Sequence, residues 1–189
     1  VASAAMVNAL SSWFENNFPT ILYQGMDPEA LCNSWRDLIA DTNRMIADYG
    51  RKCHTALGTT TTTMLIVNGK YYTMNVGDSR IYMLTDNLYQ LTKDQTYVQR
   101  QMDLGLMTYE QSLTDPQRSV LLQCIGASEA VVPDFTTGDV RPGQRYLLCC
   151  DGFRHAFIFR HNADVGRVPV GVPVRALCRL CVIERDGFA

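Results

Sequence analysis

The sequence lacks the features that would assign it at once to several function classes. Its 189 residues carry a formal net charge of only −2, so neither nucleic acid nor an acidic membrane is an expected partner. No apolar run approaches the ~18 residues of a membrane helix, and the first residues do not resemble a signal peptide. The three histidines have no metal-ligand spacing, and there is no nucleophile elbow or glycine-rich phosphate loop. We therefore expect a cytoplasmic protein.

The cysteines are odd in number and irregularly spaced. Seven thiols in a chain without a secretion signal indicate reduced cysteines in a cytoplasmic protein. The one suggestive pair is Cys178 and Cys181, which form a Cys-x-x-Cys motif. A zinc or redox site would need a second ligand pair, so packing of small apolar side chains is the alternative for these two residues.

Helices dominate the first 50 residues. With 47% hydrophobic residues, the chain can bury the core of one globular domain. Apolar residues recur at helical spacing over 2–18, where Pro19 should end the helix. A second helix should begin after Asp27, an N-cap residue followed by Pro28, and end near Gly50.

The middle of the chain is rich in β-branched residues and turn signals. Residues 59–91 predict a meander of four strands, with Asn68-Gly69 as a tight hairpin turn. Short helices are then expected after Asp94, at a Thr108/Gln111 capping box and after Pro116. Strands are expected at 131–137 and 145–150. Two helices that pack on such strands predict an α+β fold.

Two aspartates stand at strand ends next to glycine. Asp78 follows Gly77, and Asp151 follows an apolar strand and precedes Gly152. Convergent carboxylates at such positions would suit Mg²⁺ or Mn²⁺, whereas the alternative is that both pairs are ordinary turns. If they share an ion site, their carboxylates should lie within about 12 Å of each other. Arg80 could be either an internal ion-pair partner or a phosphate clamp.

Five motifs in order provide a family resemblance: Leu57-Gly-Thr-Thr60, Asn75-Val-Gly-Asp-Ser-Arg-Ile-Tyr82, Leu91-Thr-Lys-Asp-Gln95, Leu121-Leu-Gln-Cys-Ile-Gly126 and Leu147-Leu-Cys-Cys-Asp-Gly-Phe153. Together they resemble the PPM (PP2C-type) metal-dependent serine/threonine protein phosphatases, in particular the bacterial branch. The resemblance covers about residues 1–157. It implies an αββα sandwich of two antiparallel sheets flanked by helices. It also implies two ions of Mn²⁺ or Mg²⁺, or three, and a bridging water that attacks phosphoserine or phosphothreonine.

The resemblance also assigns roles to particular residues. Asp151 looks like the core metal ligand of the family's Ser-Asp-Gly segment, with Cys150 in place of the serine. Asp78 looks like the Gly-Asp-Ser-Arg aspartate that contributes to a third metal. Asp186 resembles the family's closing Asp-Asn region, and residues 105–118 resemble the mobile flap. Phosphorylated proteins and Ser/Thr kinase signalling partners are the implied partners.

Departures from the family concern both ends. The family's Arg-x-x-Asn-Glu-Asp strand and Asp-Gly-x-Gly-Gly segment, which supply carboxylates, are absent here. We therefore expect one PPM-type domain over 1–189 that lacks its N-terminal strands, with an exposed sheet edge and an atypical tail at 158–189. The tail places Pro169 and Pro173 in a valine-rich run, so weak order is expected from about 158. The alternative function is a non-catalytic phosphatase-like binding module or an inactive fragment.

Overall fold

The computed structural model describes residues 1–156 and 181–184. It contains six helices and seven strands in that part of the chain. The helices are α1 (Ala2–Asn16), α2 (Phe18–Tyr23), α3 (Pro28–Lys52), α4 (Tyr97–Asp103), α5 (Tyr109–Thr114) and α6 (Asp151–Ala156). The strands are β1 (Thr61–Val67), β2 (Lys70–Val76), β3 (Arg80–Leu84), β4 (Leu88–Gln90), β5 (Asp134–Asp139), β6 (Arg145–Cys149) and β7 (Cys181–Glu184).

The strands form two antiparallel sheets. One has the order β1-β2-β5 and the other the order β4-β3-β6-β7. The expected hairpin turn is confirmed, since Asn68 and Gly69 both have positive φ and β1 pairs with β2 through Val67 and Lys70. The single meander over 59–91 is wrong. β2 and β3 belong to different sheets because the chain turns at Gly77, whose φ of +118° few other residues adopt.

The N-terminal helices cover the three-stranded sheet. Trp13 of α1 and Trp35 of α3 contact each other with ring centroids 5.6 Å apart, and Trp35 stacks on Phe135 of β5 at 6.2 Å. The largest buried cluster joins these helices to β2. A smaller cluster joins β3 and β6 to Phe153 of α6. Helices therefore pack on both sheets, as the predicted sandwich requires.

The two sheets contact each other through tyrosines. Tyr71 of β2 and Tyr146 of β6 are buried, and their ring centroids lie 5.8 Å apart. Aromatic rings in this tilted arrangement bury much apolar area. The contact joins the two sheets at the ends of β2 and β6 opposite to those that lead into Gly77 and Gly152.

Helix limits follow the expected caps in some places and differ in others. Asp27 caps α3 as predicted, with its carboxylate accepting from Glu29 and Ala30 N–H. Pro19 does not end the first helical region. It lies in the first turn of α2, where a missing N–H costs no hydrogen bond. The α3 helix also continues past Gly50 to Lys52.

Three further expectations in the second half of the chain are wrong. Thr96, not Asp94, caps α4, since its hydroxyl accepts from Gln99 N–H at 3.2 Å. Residues 116–124 form turns rather than a helix, with Leu121 bridged to Thr96. The strand expected from 131 begins at Asp134, because Pro133 cannot donate to a ladder. The Thr108/Gln111 capping box is confirmed.

The C-terminal region supplies one strand. β7 pairs with β6 from Leu148 opposite Cys181 to Arg145 opposite Glu184. A regular strand at 181–184 differs from the expectation of weak order from about 158, whereas Pro169, Pro173 and Cys178 lie outside the described residues. Among the helices of the described part, none is long and apolar enough to cross a membrane.

The outer edge of β1 should promote self-association. No described strand pairs with that side of β1, and its seven residues, TTTMLIV, contain no charge or proline. Such an edge recruits other strands. We expect sedimentation velocity to show a larger species as concentration rises, with slower amide exchange in β1. The short edge strand β4 serves as the internal control, and a monomer at all concentrations would contradict this expectation.

Candidate metal centre

Asp78 lies where the chain crosses from one sheet to the other. β2 ends at Val76 in the three-stranded sheet, and β3 begins at Arg80 in the four-stranded sheet. The intervening turn leaves Asp78 half-buried, whereas Gly77 before it is buried. The carboxylate is therefore carried by a short segment that both sheets hold.

Asp151 lies at the same end of the β3–β6 pair. In this antiparallel ladder Arg80 is opposite Cys149. Asp78 is two residues before Arg80, and Asp151 is two residues after Cys149, so the two aspartates flank the same end of the two strands. Asp151 is exposed at the start of α6, where its Oδ1 accepts from Gly152 N–H at 2.7 Å. The register of this ladder thus supports the prediction that the two aspartates lie near each other.

The side chains in this region carry the type of ligand atom that a divalent cation prefers. Carboxylate oxygens are the ligands that Mg²⁺ and Mn²⁺ prefer. In the part of the chain that the structure describes, no group of three or more histidine, cysteine, aspartate or glutamate side chains is gathered as a metal cage. Asp186, the third predicted ligand, lies outside the described residues. Asp78 and Asp151 alone would leave most of the roughly six positions of such an ion to other donors.

Arg80 forms an internal ion pair. Its Nε and Nη2 donate to the two carboxylate oxygens of Asp94 at 2.7 and 2.8 Å, and its Nη1 donates to the Tyr82 hydroxyl at 2.9 Å. Burial alone would lower the pKa of Arg80, but its bonds to Asp94 and Tyr82 outweigh burial and raise that pKa. Because Asp94 bonds the Nε and Nη2 edge of the guanidinium and Tyr82 bonds Nη1, Arg80 is an internal ion-pair partner rather than a phosphate clamp.

Two residues of this region were missed by the sequence reasoning. Asp94 was expected to cap a helix, and Asn75 was expected only to be part of a strand. Asn75 is buried and donates from Nδ2 to the carbonyls of Gly77 and Lys93 at 3.2 and 3.1 Å. The signal that could have identified both was their position within the second and third family motifs, which are separate in sequence but meet here.

The flap-like region carries an apolar surface beside these motifs. Residues 105–118 contain α5, and large apolar side chains are exposed on and around them, including Leu106, Tyr109 and Leu113. The predicted role of this region as a flap remains a prediction.

Comparisons with known proteins agree with the resemblance of the motifs. The family model described as Protein phosphatase 2C matches residues 8–101. The serine/threonine protein phosphatase PstP of Mycobacterium tuberculosis is 42% identical over 97 residues, which are 51% of this chain and 19% of that protein.

Solved structures show the same similarity in three dimensions. The crystal structure of the M. tuberculosis serine/threonine phosphatase PstP/Ppp aligns with a TM-score of 0.67 and 34% identity, covering 80% of this chain and 62% of that chain. A structure of the PstP catalytic domain in complex with two manganese ions aligns with a TM-score of 0.64 and 30% identity, covering 80% and 60%. The chain spans less than two thirds of these relatives. Over 8–101 its sequence matches the protein phosphatase 2C family model, and over four fifths of its length its fold is similar to that of bacterial serine/threonine phosphatases.

Proposed function

We propose that this chain is a protein phosphatase domain that hydrolyses phosphoserine and phosphothreonine in proteins with the help of Mn²⁺ or Mg²⁺. The observation that carries the proposal is the placement of Asp78 and Asp151 at one end of the β3–β6 ladder in a chain that matches this family's model. The manganese complex of the PstP catalytic domain supports the choice of ion.

The chain's own residues would act by binding and orientation. When bound, divalent cations lower the pKa of a water molecule and offset the charge of phosphoryl oxygens. Asp78, Asp151 and Asp186 are the proposed ligands. Asp151 is held by its bond to Gly152 N–H, and Asp78 is held through its neighbours in the crossover. A protein nucleophile is not part of this proposal, since the activated water is the nucleophile of such chemistry.

The wider setting follows from the same proposal. We propose that residues 1–189 belong to one phosphatase domain in which 158–189 is an atypical tail. Its substrates would be phosphorylated proteins, its partners Ser/Thr kinase signalling proteins and its location the cytoplasm. The relatives named serine/threonine protein phosphatases support the proposed substrate class.

Metal binding provides the direct test. Replacing Asp78 by asparagine removes a charged oxygen ligand, so we expect the apparent Kd for Mn²⁺ to rise at least about tenfold, which corresponds to ~1.4 kcal/mol. Electron paramagnetic resonance of free Mn²⁺ measures this affinity. Asp86→Asn is the matched control, since Asp86 is an exposed aspartate at the opposite end of β3. Equal affinities for the two variants would contradict the proposed ligand.

A binding module without catalytic activity is the second candidate. It is favoured by the absence of a three-residue metal cage among the described residues. With so few charged ligands, this chain alone should turn over a phosphothreonine peptide far below the typical ~1–10³ s⁻¹ of enzymes, even with added Mn²⁺. Phosphate release by the 189-residue chain measures this. Turnover in the typical range would exclude the module and show that the chain contains sufficient ligands.

A further inference from the structure

Gln95 holds Gly77, the residue before Asp78, at two points. The Gly77 N–H donates to Gln95 Oε1 at 3.0 Å, and the Gly77 carbonyl accepts from the Gln95 N–H at 2.9 Å. Gly77 and Gln95 are both buried. Buried backbone groups without partners are costly. The Gln95 side chain supplies the acceptor for the Gly77 N–H, whereas the Gly77 carbonyl is bonded by both the Gln95 N–H and Asn75 Nδ2.

The Gln95 carboxamide is itself fixed from its far side. Its Nε2 donates to Asp134 Oδ2 at 2.8 Å, and its Oε1 accepts a second bond from Gln123 Nε2 at 2.8 Å. Its backbone carbonyl accepts from Leu122 N–H at 2.9 Å. The carboxamide cannot flip without losing these bonds, because its oxygen faces donors and its nitrogen faces a carboxylate.

The residue before Gln95 secures the other side of Asp78. Asp94 binds Arg80 through both carboxylate oxygens, and Arg80 is the first residue of β3. Two consecutive residues thus hold Gly77 and Arg80, which flank the Asp78–Ser79 turn. Position 77 also favours glycine on steric grounds, since a Cβ there would lie 2.4 Å from Thr60 Cγ2.

We propose that Gln95 is a positioning residue that fixes Gly77 and, through it, orients the Asp78 carboxylate toward a divalent cation. The inference rests on the proposed function only in making Asp78 a ligand. The geometry of Gln95 is a property of the fold and can be tested without metal.

Amide hydrogen exchange of the 189-residue chain tests this geometry. In Gln95→Leu, the Gly77 amide should exchange at least about tenfold faster, while the Tyr72 amide in β2 should change little. Gln99→Leu is the matched control, because Gln99 bonds Asp103 on α4 and lies outside these contacts. Exchange that is unchanged at Gly77, or equally faster at Gly77 and Tyr72, would overturn the proposal.

Swapping the donor and the acceptor between positions 95 and 134 should restore the contact that a single substitution breaks. Gln95→Glu keeps the acceptor for Gly77 N–H but places two carboxylates together at Asp134. The double variant Gln95→Glu/Asp134→Asn supplies an amide donor to the new carboxylate, so slow exchange at Gly77 should return. If Gln95→Leu does not fold, the comparison of Gln95→Glu with the double variant tests the proposal at the same Gly77 amide. Exchange at Gly77 that is no slower in the double variant than in Gln95→Glu would refute the proposal.

Manganese separates failure of this inference from failure of the proposed function. In the parent chain, Mn²⁺ should broaden the NMR signals of Asp78 and Asp151. Gln95→Leu should need at least about fivefold more Mn²⁺ for the same broadening. Absence of broadening in the parent refutes the metal function, while exchange at Gly77 still decides whether Gln95 holds Gly77 in place. Broadening that Gln95→Leu leaves unchanged refutes the positioning role alone.

Discussion

Replacing Asp94 by asparagine should lower the free energy of unfolding by about 3 kcal/mol. The change leaves the Arg80 guanidinium without its two-point carboxylate partner, and the side chain is only 24% exposed. An uncompensated charge in such a position is costly. The estimate is at the low end of the usual range because the Tyr82 hydroxyl still accepts from Arg80. For a chain of this size the melting temperature should fall by roughly 6–12 °C.

Thermal unfolding with two controls checks this expectation. Asp139→Asn breaks the Lys70–Asp139 pair, whose side chains are exposed, and should leave the melting temperature nearly unchanged. The double variant Arg80→Met/Asp94→Leu removes both charges and should recover most of the loss, because apolar side chains can replace a buried ion pair. If Asp94→Asn melts with the parent protein, the pair does not stabilise the fold.

Replacing Gly77 by alanine should cost about 3 kcal/mol or more. Two effects add: φ at position 77 is +118°, which L residues rarely adopt, and the new Cβ would lie 2.4 Å from Thr60 Cγ2. Backbone strain of this kind costs ~1–3 kcal/mol, and overpacking costs a similar amount. The neighbouring atom belongs to a short β-branched side chain in a paired region, so it has little room to move.

Matched variants separate the two effects by chemical denaturation. Gly143 also has positive φ, but a Cβ there would meet nothing within 4 Å. Gly143→Ala should therefore show the strain alone and cost less than Gly77→Ala. Adding Thr60→Ala to Gly77→Ala removes the clashing methyl and should restore part of the loss relative to Thr60→Ala. Equal losses for the Gly77 and Gly143 variants would show that contact with Thr60 is unimportant.

Features that depend on neighbouring residues were predicted from the sequence. The Asn68-Gly69 turn needs positive φ at both residues, and these are residue types that tolerate it. The Asp27 cap and the Thr108/Gln111 box likewise use side chains that reach backbone groups within three residues. Pro19 shows the limit of such local reasoning, because a proline is compatible with both the end of one helix and the first turn of the next.

The candidate ligands were predicted from the sequence and stay a prediction, whereas their supporting contacts were not predicted. Asp78 and Asp151 stand out because each lies beside glycine at a strand end and within a family motif. Asp94 was misassigned because an aspartate before a helical segment satisfies the pattern of a cap. Its actual partner, Arg80, is 14 residues away, and a pattern of neighbouring residues does not predict that ion pair.

The sequence by itself predicted most of the strands and helices, the family resemblance, and Asp78 and Asp151 as candidate metal ligands, which stay a prediction. These follow from local periodicity, turn chemistry and motifs that can be read along the chain. Only the tertiary structure decided that β2 and β3 belong to different sheets and that Asp94 and Gln95 hold the residues flanking Asp78. The physical reason is that strand partners and buried polar contacts are chosen by burial and hydrogen-bond satisfaction among segments distant in sequence.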